Sequence, residues 1–305
     1  MRTMMLGKSG LEVPVMAVGC MRMSRKTVAE ARSVIDAALE SGINFFDHAD
    51  IYGGGRSEEI FSEAIGMTPS VREKLILQSK CAIHDGMYDF SKEHILKSVE
   101  GSLRRLKTEY LDVLLLHRPD ILMEPDEVAE VFRALRDSGK VRHFGVSNHN
   151  PTQMQLLQRA MDMPIVANQL QFSIMNSTMI TSGVNVNMEN EFAVNRDGAV
   201  LDFCRLNDVT IQPWSPFHYG KREGVYLDNE KFPELNAKLS EVAGAHGITP
   251  IGAVIAWMLR HPAHMQPVMG SMTPERIREA ARGADVMLSR TEWYDIFKAA
   301  GFKLP

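Results

Sequence analysis

The feature that most constrains the fold of this chain is a repeated alternation of short apolar runs with amphipathic stretches. Apolar residues recur at helical spacing between residues 27 and 41, and Gly42 stands where a helix would stop, just before the apolar run that begins at Ile43. The same order repeats along the chain. Strands that alternate with helices pair in parallel, and eight such units in 305 residues favour a closed barrel.

The predicted elements cover most of the chain. We place strands at residues 15–19, 43–46, 74–79, 111–116, 141–146, 165–168, 209–214 and 266–269. We place helices at residues 27–41, 57–66, 92–106, 126–138, 152–161, 198–207, 235–246, 249–260 and 274–283, with another after Arg290. A turn at Lys8, Ser9 and Gly10 indicates a hairpin before the first of these strands. The expected α/β architecture is a (β/α)8 TIM barrel with an N-terminal β-hairpin and extra C-terminal helices, formed by a single domain over residues 1–305.

An open, doubly wound sheet is the alternative fold. The chain disfavours it, because no G-x-G-x-x-G turn follows the first strand, where a dinucleotide-binding fold would carry one. The segments 171–196 and 217–232 are too long for simple connections. Long loops in compact domains often carry function, but the sequence does not assign a role to these two.

The composition excludes several classes of function. A formal net charge of -4 gives no reason to expect nucleic acid or an anionic membrane as a partner. The three cysteines are widely spaced and form no C-x-x-C pair, which suits a reducing cytosol. The amino terminus has no apolar core of a signal peptide, and no run is long enough to span a membrane. We therefore expect a soluble, cytoplasmic protein.

In a barrel of this kind the active-site groups lie at the carboxyl ends of the strands. Asp47 ends the second strand, and Tyr52 follows in a glycine-rich turn that can fold the phenol back over the carboxylate. Lys80 follows the third strand, where a buried lysine is costly unless it is paired, and Asp47 is the available partner. His117 follows the fourth strand. The later strands end in polar or aromatic groups as well, namely Ser147, Asn148, Gln169, Trp214, Ser215, Gly270 and Ser271.

Six motifs occur in order at the predicted strand ends. They are G-I-N-F-F-D-H-A-D-I-Y-G, L-Q-S-K, Y-L-D-V-L-L-L-H-R-P-D, G-K-V-R-H-F-G-V-S-N, N-Q-L-Q-F-S and Q-P-W-S-P-F, followed by P-V-M-G-S-M-T-P-E-R-I-R-E-A. Over essentially its whole length the chain thereby resembles the aldo-keto reductases. The resemblance implies an NAD(P)H-dependent oxidoreductase that reduces aldehydes or ketones to alcohols by hydride transfer from nicotinamide.

The resemblance also implies a catalytic tetrad of Asp47, Tyr52, Lys80 and His117. Tyr52 would donate the proton to the developing alkoxide. A free phenol titrates near ~10, and the Lys80 ammonium would bring the pKa of Tyr52 closer to the working pH. Asp47 would keep Lys80 charged and in place. His117 would hydrogen-bond the substrate oxygen, orient it toward the hydride and stabilise its negative charge in the transition state.

The contacts of a nicotinamide cofactor carry over from the same motifs. Ser147, Asn148 and Gln169 match the residues that hydrogen-bond the carboxamide. Trp214 stands where a tyrosine more often stacks on the nicotinamide, and an indole can stack there too. The other residues that the match places at the cofactor are Met21, Arg22, Asp47, Ser215, Phe217, Gly270, Ser271, Thr273, Arg276 and Glu279.

The segment after the eighth strand bears on the choice between NADPH and NADH. Arg276, with Ser271 and Thr273, matches the family's contacts to the 2′-phosphate, and a guanidinium suits a phosphate. Gly270 and Ala280 depart from the pattern, because many members have lysine and asparagine there. We predict a preference for NADPH, with NADH possible.

Two other functions remain open. A metal-dependent barrel hydrolase would use Asp47, His48, Asp50 and His117, but the chain has no H-x-H or H-E-x-x-H motif, so we expect no metal. A non-catalytic relative would bind nucleotide and act as a regulatory subunit. The intact tetrad argues against it, since a pure binding module would not need Tyr52 or Lys80.

The substrate is expected to be a medium-sized aldehyde or ketone with an aromatic or apolar body. This follows from the mostly apolar candidates for the pocket lining, which are Met21, Met23, Tyr88, Arg118 and Phe217. Tyr88 and Phe90 either wall the carbonyl site or anchor their loop. The resemblance suggests a monomer, but the sequence does not determine the oligomeric state or the physiological substrate.

Overall fold

A computed structural model describes residues 1–220 and 223–302. Its strands in chain order are β1 (Thr3–Met5), β2 (Glu12–Pro14), β3 (Ala17–Gly19), β4 (Phe45–Asp47), β5 (Ile76–Cys81), β6 (Ile83–His84), β7 (Met87–Tyr88), β8 (Leu111–Leu116), β9 (Val141–Ser147), β10 (Ile165–Gln171), β11 (Thr210–Trp214) and β12 (Val268–Met269). The helices are α1 (Val28–Glu40), α2 (Arg56–Ile65), α3 (Pro69–Arg72), α4 (Lys92–Leu106), α5 (Pro125–Asp137), α6 (Pro151–Ala160), α7 (Thr178–Val184), α8 (Val200–Asn207), α9 (Pro233–Ala245), α10 (Pro250–Arg260), α11 (Pro274–Gly283) and α12 (Arg290–Ala299).

Eight parallel strands form a nearly closed barrel flanked by helices. Their order around the barrel is β11, β10, β9, β8, β5, β4, β3 and β12. Between β12 and β11 the Gln266 amide donates to the Ile211 carbonyl at 2.9 Å and narrows the remaining gap. β1 and β2 form the predicted antiparallel hairpin. The predicted barrel is therefore confirmed, and the open doubly wound alternative is wrong.

Several helices begin at the capping signals of the sequence. Thr27 and Glu30 form a capping box at the start of α1, and Asn150 and Gln153 form another at the start of α6. Proline occupies the first turn of α5, α6, α9, α10 and α11, where its missing N–H costs no intrahelical hydrogen bond. These signals fix where each helix leaves the strand before it.

Some short elements differ from the prediction. β5 starts and ends two residues later than predicted, so Lys80 lies within the strand rather than after it. The small hairpin β6–β7 and the four-residue α3 were not predicted, because such short elements have no readable periodicity. The long segment 171–196 contains α7 and a short 3-10 helix, Glu191–Ala193. Part of the other long segment, residues 221–222, lies outside the described residues.

The barrel interior is apolar at its amino end. Phe45, Val113, Leu115 and Ala167 are buried there, and Leu6 from the hairpin connection packs against them. A separate and larger apolar cluster fills the space between strands and helices. Because side chains alternate along a strand, the residues two positions after these inward groups also face the interior. Asp47 and Gln169 are two such residues.

No single helix in the described part of the chain is long and apolar enough to cross a membrane. One pair, Pro233–Ala245 with Pro250–Arg260, passes by length and composition only when joined, and it is bent by 88°.

Candidate active site

The centre of the site is a buried ion pair between Lys80 on β5 and Asp47 at the end of β4. Lys80 Nζ donates to both carboxylate oxygens of Asp47, at 2.7 and 2.8 Å, and to the carbonyl oxygen of His48 at 2.8 Å. It also lies 3.1 Å from Tyr52 Oη. The turn after β4 is closed by the Tyr52 amide, which donates to the Ala49 carbonyl at 3.1 Å. The predicted pairing of Lys80 with Asp47 is confirmed, and the turn brings the phenol to the pair.

Burial and charge act in opposite directions on the pKa values of this group. Burial lowers the pKa of Lys80, but Asp47 and Tyr52 more than offset it, so the pKa lies above its ordinary value. Burial raises the pKa of Tyr52, and the Lys80 ammonium opposes only part of that rise. Lys80 lowers the pKa of the phenol, as expected, but desolvation is the larger effect, so the pKa of Tyr52 lies above its ordinary value. Tyr52 is protonated at neutral pH.

His117 follows β8 and faces Tyr52. The two ring centroids are 5.9 Å apart and the rings meet edge-on, at 83°. Burial, together with the positive charges of Lys80 and Arg118, lowers the pKa of His117 to about 2. Its Nδ1 is buried without a hydrogen-bond partner among the residues that the structure describes. A neutral imidazole therefore stands beside a protonated phenol, and each can donate one hydrogen bond to a ligand oxygen.

Four buried glutamines connect the ion pair to the rest of the barrel interior. Gln78 and Gln169 each donate from Nε2 to Asp47 Oδ1, at 2.7 and 3.1 Å. Gln212 donates to Gln78 Oε1 at 3.1 Å and to Gln266 Oε1 at 2.9 Å. The amide nitrogen of Gln169 also donates to Gln212 Oε1 at 3.2 Å, which leaves its amide oxygen for a ligand. This network holds the Asp47 carboxylate in one orientation.

Three of these glutamines, Gln78, Gln212 and Gln266, were missed by the sequence analysis. A signal was present, because Gln78 lies two residues before Lys80 in an apolar strand and so shares its inward face. Gln212 stands in the same relation to Trp214. A polar side chain on an inward face must find a partner, and here the glutamines partner one another.

The polar residues after β9 and β10 are hydrogen-bonded to one another. Ser147 Oγ donates to the Gln169 carbonyl at 2.9 Å, and Asn148 Nδ2 donates to Ser147 Oγ at 2.7 Å and to the His117 carbonyl at 3.3 Å. The Trp214 indole Nε1 donates to Asn148 Oδ1 at 3.2 Å. The structure thus brings these predicted residues together, and Asn148 has an additional role in fixing the orientation of the indole.

Two loops at the same end of the barrel carry further predicted residues. Met21 and Arg22 are exposed after β3, where the Met21 carbonyl accepts from Ser57 Oγ at 3.3 Å. Ser215 and Phe217 are half-buried after β11, and Ser215 has a φ of 55°, which turns the chain sharply after the strand. Because both strands end at this face, all four residues lie at the same end of the barrel as the tetrad.

The predicted phosphate-binding residues lie between β12 and the first turns of α11. They are Gly270, Ser271, Thr273, Arg276 and Glu279. Arg276 is exposed, and no described carboxylate pairs with it, whereas Arg278 on the same helix pairs with Glu40 at 2.8 Å. A Cβ at Gly270 would meet nothing within 4 Å, so its departure from the family pattern leaves open space. The guanidinium of Arg276 is thus available to an anion.

The four ligands of the metal-hydrolase alternative do not converge. The Asp47 carboxylate is held by Lys80, and the His48 ring packs away from it against Phe61, with ring centroids 4.6 Å apart. Burial lowers the pKa of His48 to about 3, and both ring nitrogens lack partners among the described residues. Within the described chain, the one grouping with metal-ligand spacing is elsewhere, at His84, Asp89 and His94.

Some of the candidate pocket-lining residues are exposed in the structure, and others are buried in the core. Met23 and Phe90 are buried in the core, so the former does not line a pocket and the latter anchors its loop. Tyr88 is 48% exposed on the β6–β7 hairpin, and Met21 is 53% exposed. The Arg118 guanidinium lies 5.9 Å from the centre of the Trp214 ring. The mouth of the site is therefore mixed, with apolar side chains and one cation beside the indole.

The chain is similar to known proteins over nearly its whole length. A profile of the Aldo/keto reductase family matches residues 15–300. The chain is 38% identical over 290 residues to the oxidoreductase YcsN of Bacillus subtilis (strain 168), covering 91% of this chain and 90% of that protein. It is 34% identical over 284 residues to the 6-dehydroglucose reductase of Agrobacterium fabrum (strain C58 / ATCC 33970), covering 89% and 88%. The crystal structure of the thermostable aldo-keto reductase Tm1743 with the inhibitor epalrestat matches with a TM-score of 0.79 at 26% identity, covering 98% of this chain and 100% of that one.

Proposed function

We propose that this chain, which belongs to the aldo/keto reductase family and is an oxidoreductase, reduces a small aldehyde or ketone to an alcohol with NADPH. Tyr52 donates the proton. The observation that carries this proposal is the contact of 3.1 Å between Tyr52 Oη and Lys80 Nζ, beside a neutral His117 at the carboxyl ends of the strands. The four groups match the family's tetrad position by position.

The surroundings of Tyr52 suit a proton donor. Its raised pKa keeps the proton on the phenol until the substrate oxygen becomes basic. The Lys80 ammonium then stabilises the phenolate that forms, and Asp47 keeps Lys80 charged. In the direction of alcohol oxidation the same phenolate accepts the proton.

The surroundings of His117 suit a neutral hydrogen-bond donor. An imidazolium is a stronger acid than a phenol and would compete with Tyr52 to protonate the oxygen as negative charge develops on it, whereas a neutral imidazole only donates a hydrogen bond. With its pKa lowered to about 2, His117 is neutral at neutral pH. It orients the carbonyl and stabilises the charge that develops on its oxygen.

The residues present fit a nicotinamide cofactor. Gln169 Oε1 and the half-buried Trp214 indole lie at the barrel mouth, where the nicotinamide end would bind. Arg276, which pairs with no carboxylate among the described residues, is available for the phosphate end. When bound, the cofactor supplies the hydride. Ser147, Asn148 and Gln169 would hold the carboxamide, Ser215 and Phe217 would contact the pyrophosphate, and Met21 and Arg22 would lie along the cofactor.

Cofactor preference provides a prediction about Arg276. Replacing Arg276 with alanine should raise the Kd for NADPH at least tenfold and leave the Kd for NADH within threefold, because only NADPH carries the 2′-phosphate. Arg282→Ala is the matched control, since Arg282 is exposed on the same helix. Equal weakening for both nucleotides, or no weakening, would contradict the assignment.

A direct test of the reaction uses deuterated cofactor. The full chain is incubated with [4,4-²H₂]NADPH and an aromatic aldehyde, and the product alcohol is analysed by mass spectrometry. One deuterium at the carbinol carbon supports the proposal. Consumption of cofactor without deuterated alcohol, or no consumption with any carbonyl tested, would overturn it.

The substrate class has two candidates. Exposed apolar side chains on loops at this face, Met21, Ile51, Met87, Tyr88, Ile121 and Leu122, favour a substrate with an apolar or aromatic body. The relative named 6-dehydroglucose reductase, together with Arg118 beside Trp214, favours a polar sugar aldehyde. Comparing kcat/KM for benzaldehydes of increasing size with that for 6-dehydroglucose decides between them. We expect kcat/KM to be higher for the aromatic aldehydes. A reaction confined to 6-dehydroglucose would refute that expectation.

A further inference from the structure

A second cluster of ligating side chains lies outside the tetrad, where the β6–β7 hairpin meets the first turn of α4. It consists of His84 on β6, Asp89 after β7 and His94 in α4. One ligand atom from each residue lies within 4.8 Å of the others, and all three residues are half-buried. The proposed reductase chemistry uses none of them.

His84 stands between two carboxylates. Its Nδ1 is 3.2 Å from Asp85 Oδ2, and its Nε2 is 3.0 Å from Asp89 Oδ2. A neutral imidazole has one N–H, so it can donate to only one of them, and the other nitrogen then turns its lone pair toward a carboxylate oxygen. With the proton on Nδ1 toward Asp85, a cation between Nε2 and Asp89 removes that repulsion.

His94 adds a second imidazole ring with a nitrogen that lacks a hydrogen-bond partner among the described residues. This nitrogen is Nε2, and it is buried. The ring stacks on His84, with centroids 4.2 Å apart and an angle of 23° between planes. A proton on His84 could satisfy both carboxylates, but it would leave His94 without a partner. A metal ion would give both histidines a partner, once the nearly parallel rings tilt so that one nitrogen of each faces the ion.

We propose that His84, Asp89 and His94 bind a divalent transition-metal cation of the Zn²⁺ type. Two imidazoles and a carboxylate are ligands that zinc accepts, at about 2.0–2.2 Å from the ion. Two atoms that far from one ion can lie 3.0 Å apart, which is the observed separation of His84 Nε2 and Asp89 Oδ2. Asp85 takes the place of the carboxylate that orients a metal-bound histidine through its other nitrogen. Water completes the coordination.

The bound cation ties the hairpin to α4. β6 begins two residues after β5, the strand that carries Lys80, and the hairpin exposes Met87 and Tyr88 at the end of the barrel where Lys80 lies. Linking His84 to His94 therefore fixes the hairpin against the barrel. The site is structural, and its occupancy does not depend on the reductase chemistry.

The test is calorimetric titration of the chelator-treated full chain with ZnCl₂ at pH 7.5. We expect one site with a Kd of about 10 μM or below in the wild type. His94→Ala should weaken binding at least thirtyfold, and Asp89→Asn, which keeps a hydrogen-bond acceptor for the Ser91 amide, at least tenfold. His264→Asn is the control, because His264 is an exposed histidine away from the cluster, and it should bind as the wild type does.

Two results would overturn the site. One is a wild-type Kd above 100 μM, and the other is unchanged zinc binding in both His94→Ala and Asp89→Asn. Thermal unfolding of each variant without zinc shows whether it is folded, so that lost binding is not mistaken for lost structure. NADPH binding by the wild type is measured in the same samples, so that a failed zinc site is distinguished from a failed cofactor proposal.

Discussion

At the scale of single residues, the site depends on charges held away from water. Lys80 is fully buried and Asp47 nearly so, and removing either partner would leave an uncompensated buried charge, at a cost of about 3–5 kcal/mol. Tyr52→Phe removes only an oxygen and keeps the ring, so it separates the role in proton transfer from the role in stability. The charged pair is thus both the electrostatic basis of the proposed chemistry and a constraint on which variants fold.

Asp50 provides a prediction about stability. Its carboxyl is half-buried, Oδ1 has no partner in the described chain, and burial raises the pKa of Asp50 to about 6. A raised carboxyl pKa means that the folded state favours the protonated form, so stability is lost as pH rises through about 6. Asp50→Asn should therefore increase the free energy of unfolding at pH 7.5 by about 2 kcal/mol.

The pH dependence of the stability gained by Asp50→Asn tests whether the gain comes from removing the buried charge. At pH 4.5 the wild-type carboxyl is protonated in the folded state, so the difference between Asp50→Asn and wild type should shrink by more than half in urea unfolding. Asp285→Asn, at an exposed position, should change stability by less than about 0.5 kcal/mol. A destabilised Asp50→Asn at pH 7.5 would show that the hydrogen bond from Ser98 Oγ to Oδ2, at 2.5 Å, outweighs the cost of burying the charge.

At the scale of elements, sequence patterns predicted the long helices and the strand order well. The bounds of α4 and α11 were predicted to the residue, because strong periodicity and flanking signals agree there. The β6–β7 hairpin was missed because two-residue strands have no period. The glutamine network was missed for another reason: pairing across the barrel joins residues far apart in the chain, and one strand alone does not show its partner.

The packing of α10 against α11 depends on a close contact between two glycines, Gly252 and Gly283. A Cβ at Gly283 would overlap the carbonyl oxygen of Gly252 and lie 2.5 Å from its carbonyl carbon, and neither backbone atom can rotate away. Gly283→Ala must push the helices apart and should lower the free energy of unfolding by about 2 kcal/mol or more. Gly244→Ala in α9 is the control, because its Cβ meets nothing within 4 Å. It should stabilise the protein by about 0.5 kcal/mol, since alanine favours helix. Equal effects of the two substitutions in urea unfolding would refute the close contact.

At the scale of the whole molecule, the barrel gathers groups from distant parts of the chain at one face. The sequence was sufficient to predict this assembly, because parallel strands place their carboxyl ends together whatever the loop lengths. The balance of burial against charge at Tyr52 could not be predicted. It depends on how much water each loop excludes, which is a property of the folded barrel.

Buried histidines provide a whole-molecule prediction. Burial lowers the pKa values of His48 to about 3, of His117 to about 2, and of His149 and His261 to about 4. Unfolded histidines bind protons near pH 6.5, so the unfolded state gains protons first and stability falls as pH drops below that value. We expect the free energy of unfolding to be lower at pH 5 than at pH 7.5, by about 1–2 kcal/mol per histidine.

One group opposes that trend. Between about pH 6 and the ordinary pKa of an aspartate, Asp50 binds a proton in the folded state but not in the unfolded state. It therefore offsets part of the stability that the histidines lose as the pH falls. Urea unfolding at pH 7.5, 6 and 5 measures the sum. Equal stability at pH 5 and pH 7.5 would mean that the histidines are accessible to protons in the folded state.

The most direct measurement is a titration of wild type and Tyr52→Phe with NADPH, followed by tryptophan fluorescence, with turnover of an aromatic aldehyde measured in parallel. Trp214 lies within the proposed cofactor site, so NADPH should quench the tryptophan fluorescence of both proteins. The two Kd values for NADPH should lie within threefold of each other. Turnover should fall at least about a hundredfold in Tyr52→Phe, because the general acid is gone. Wild-type turnover in Tyr52→Phe, or no binding of NADPH by either protein, would contradict the account.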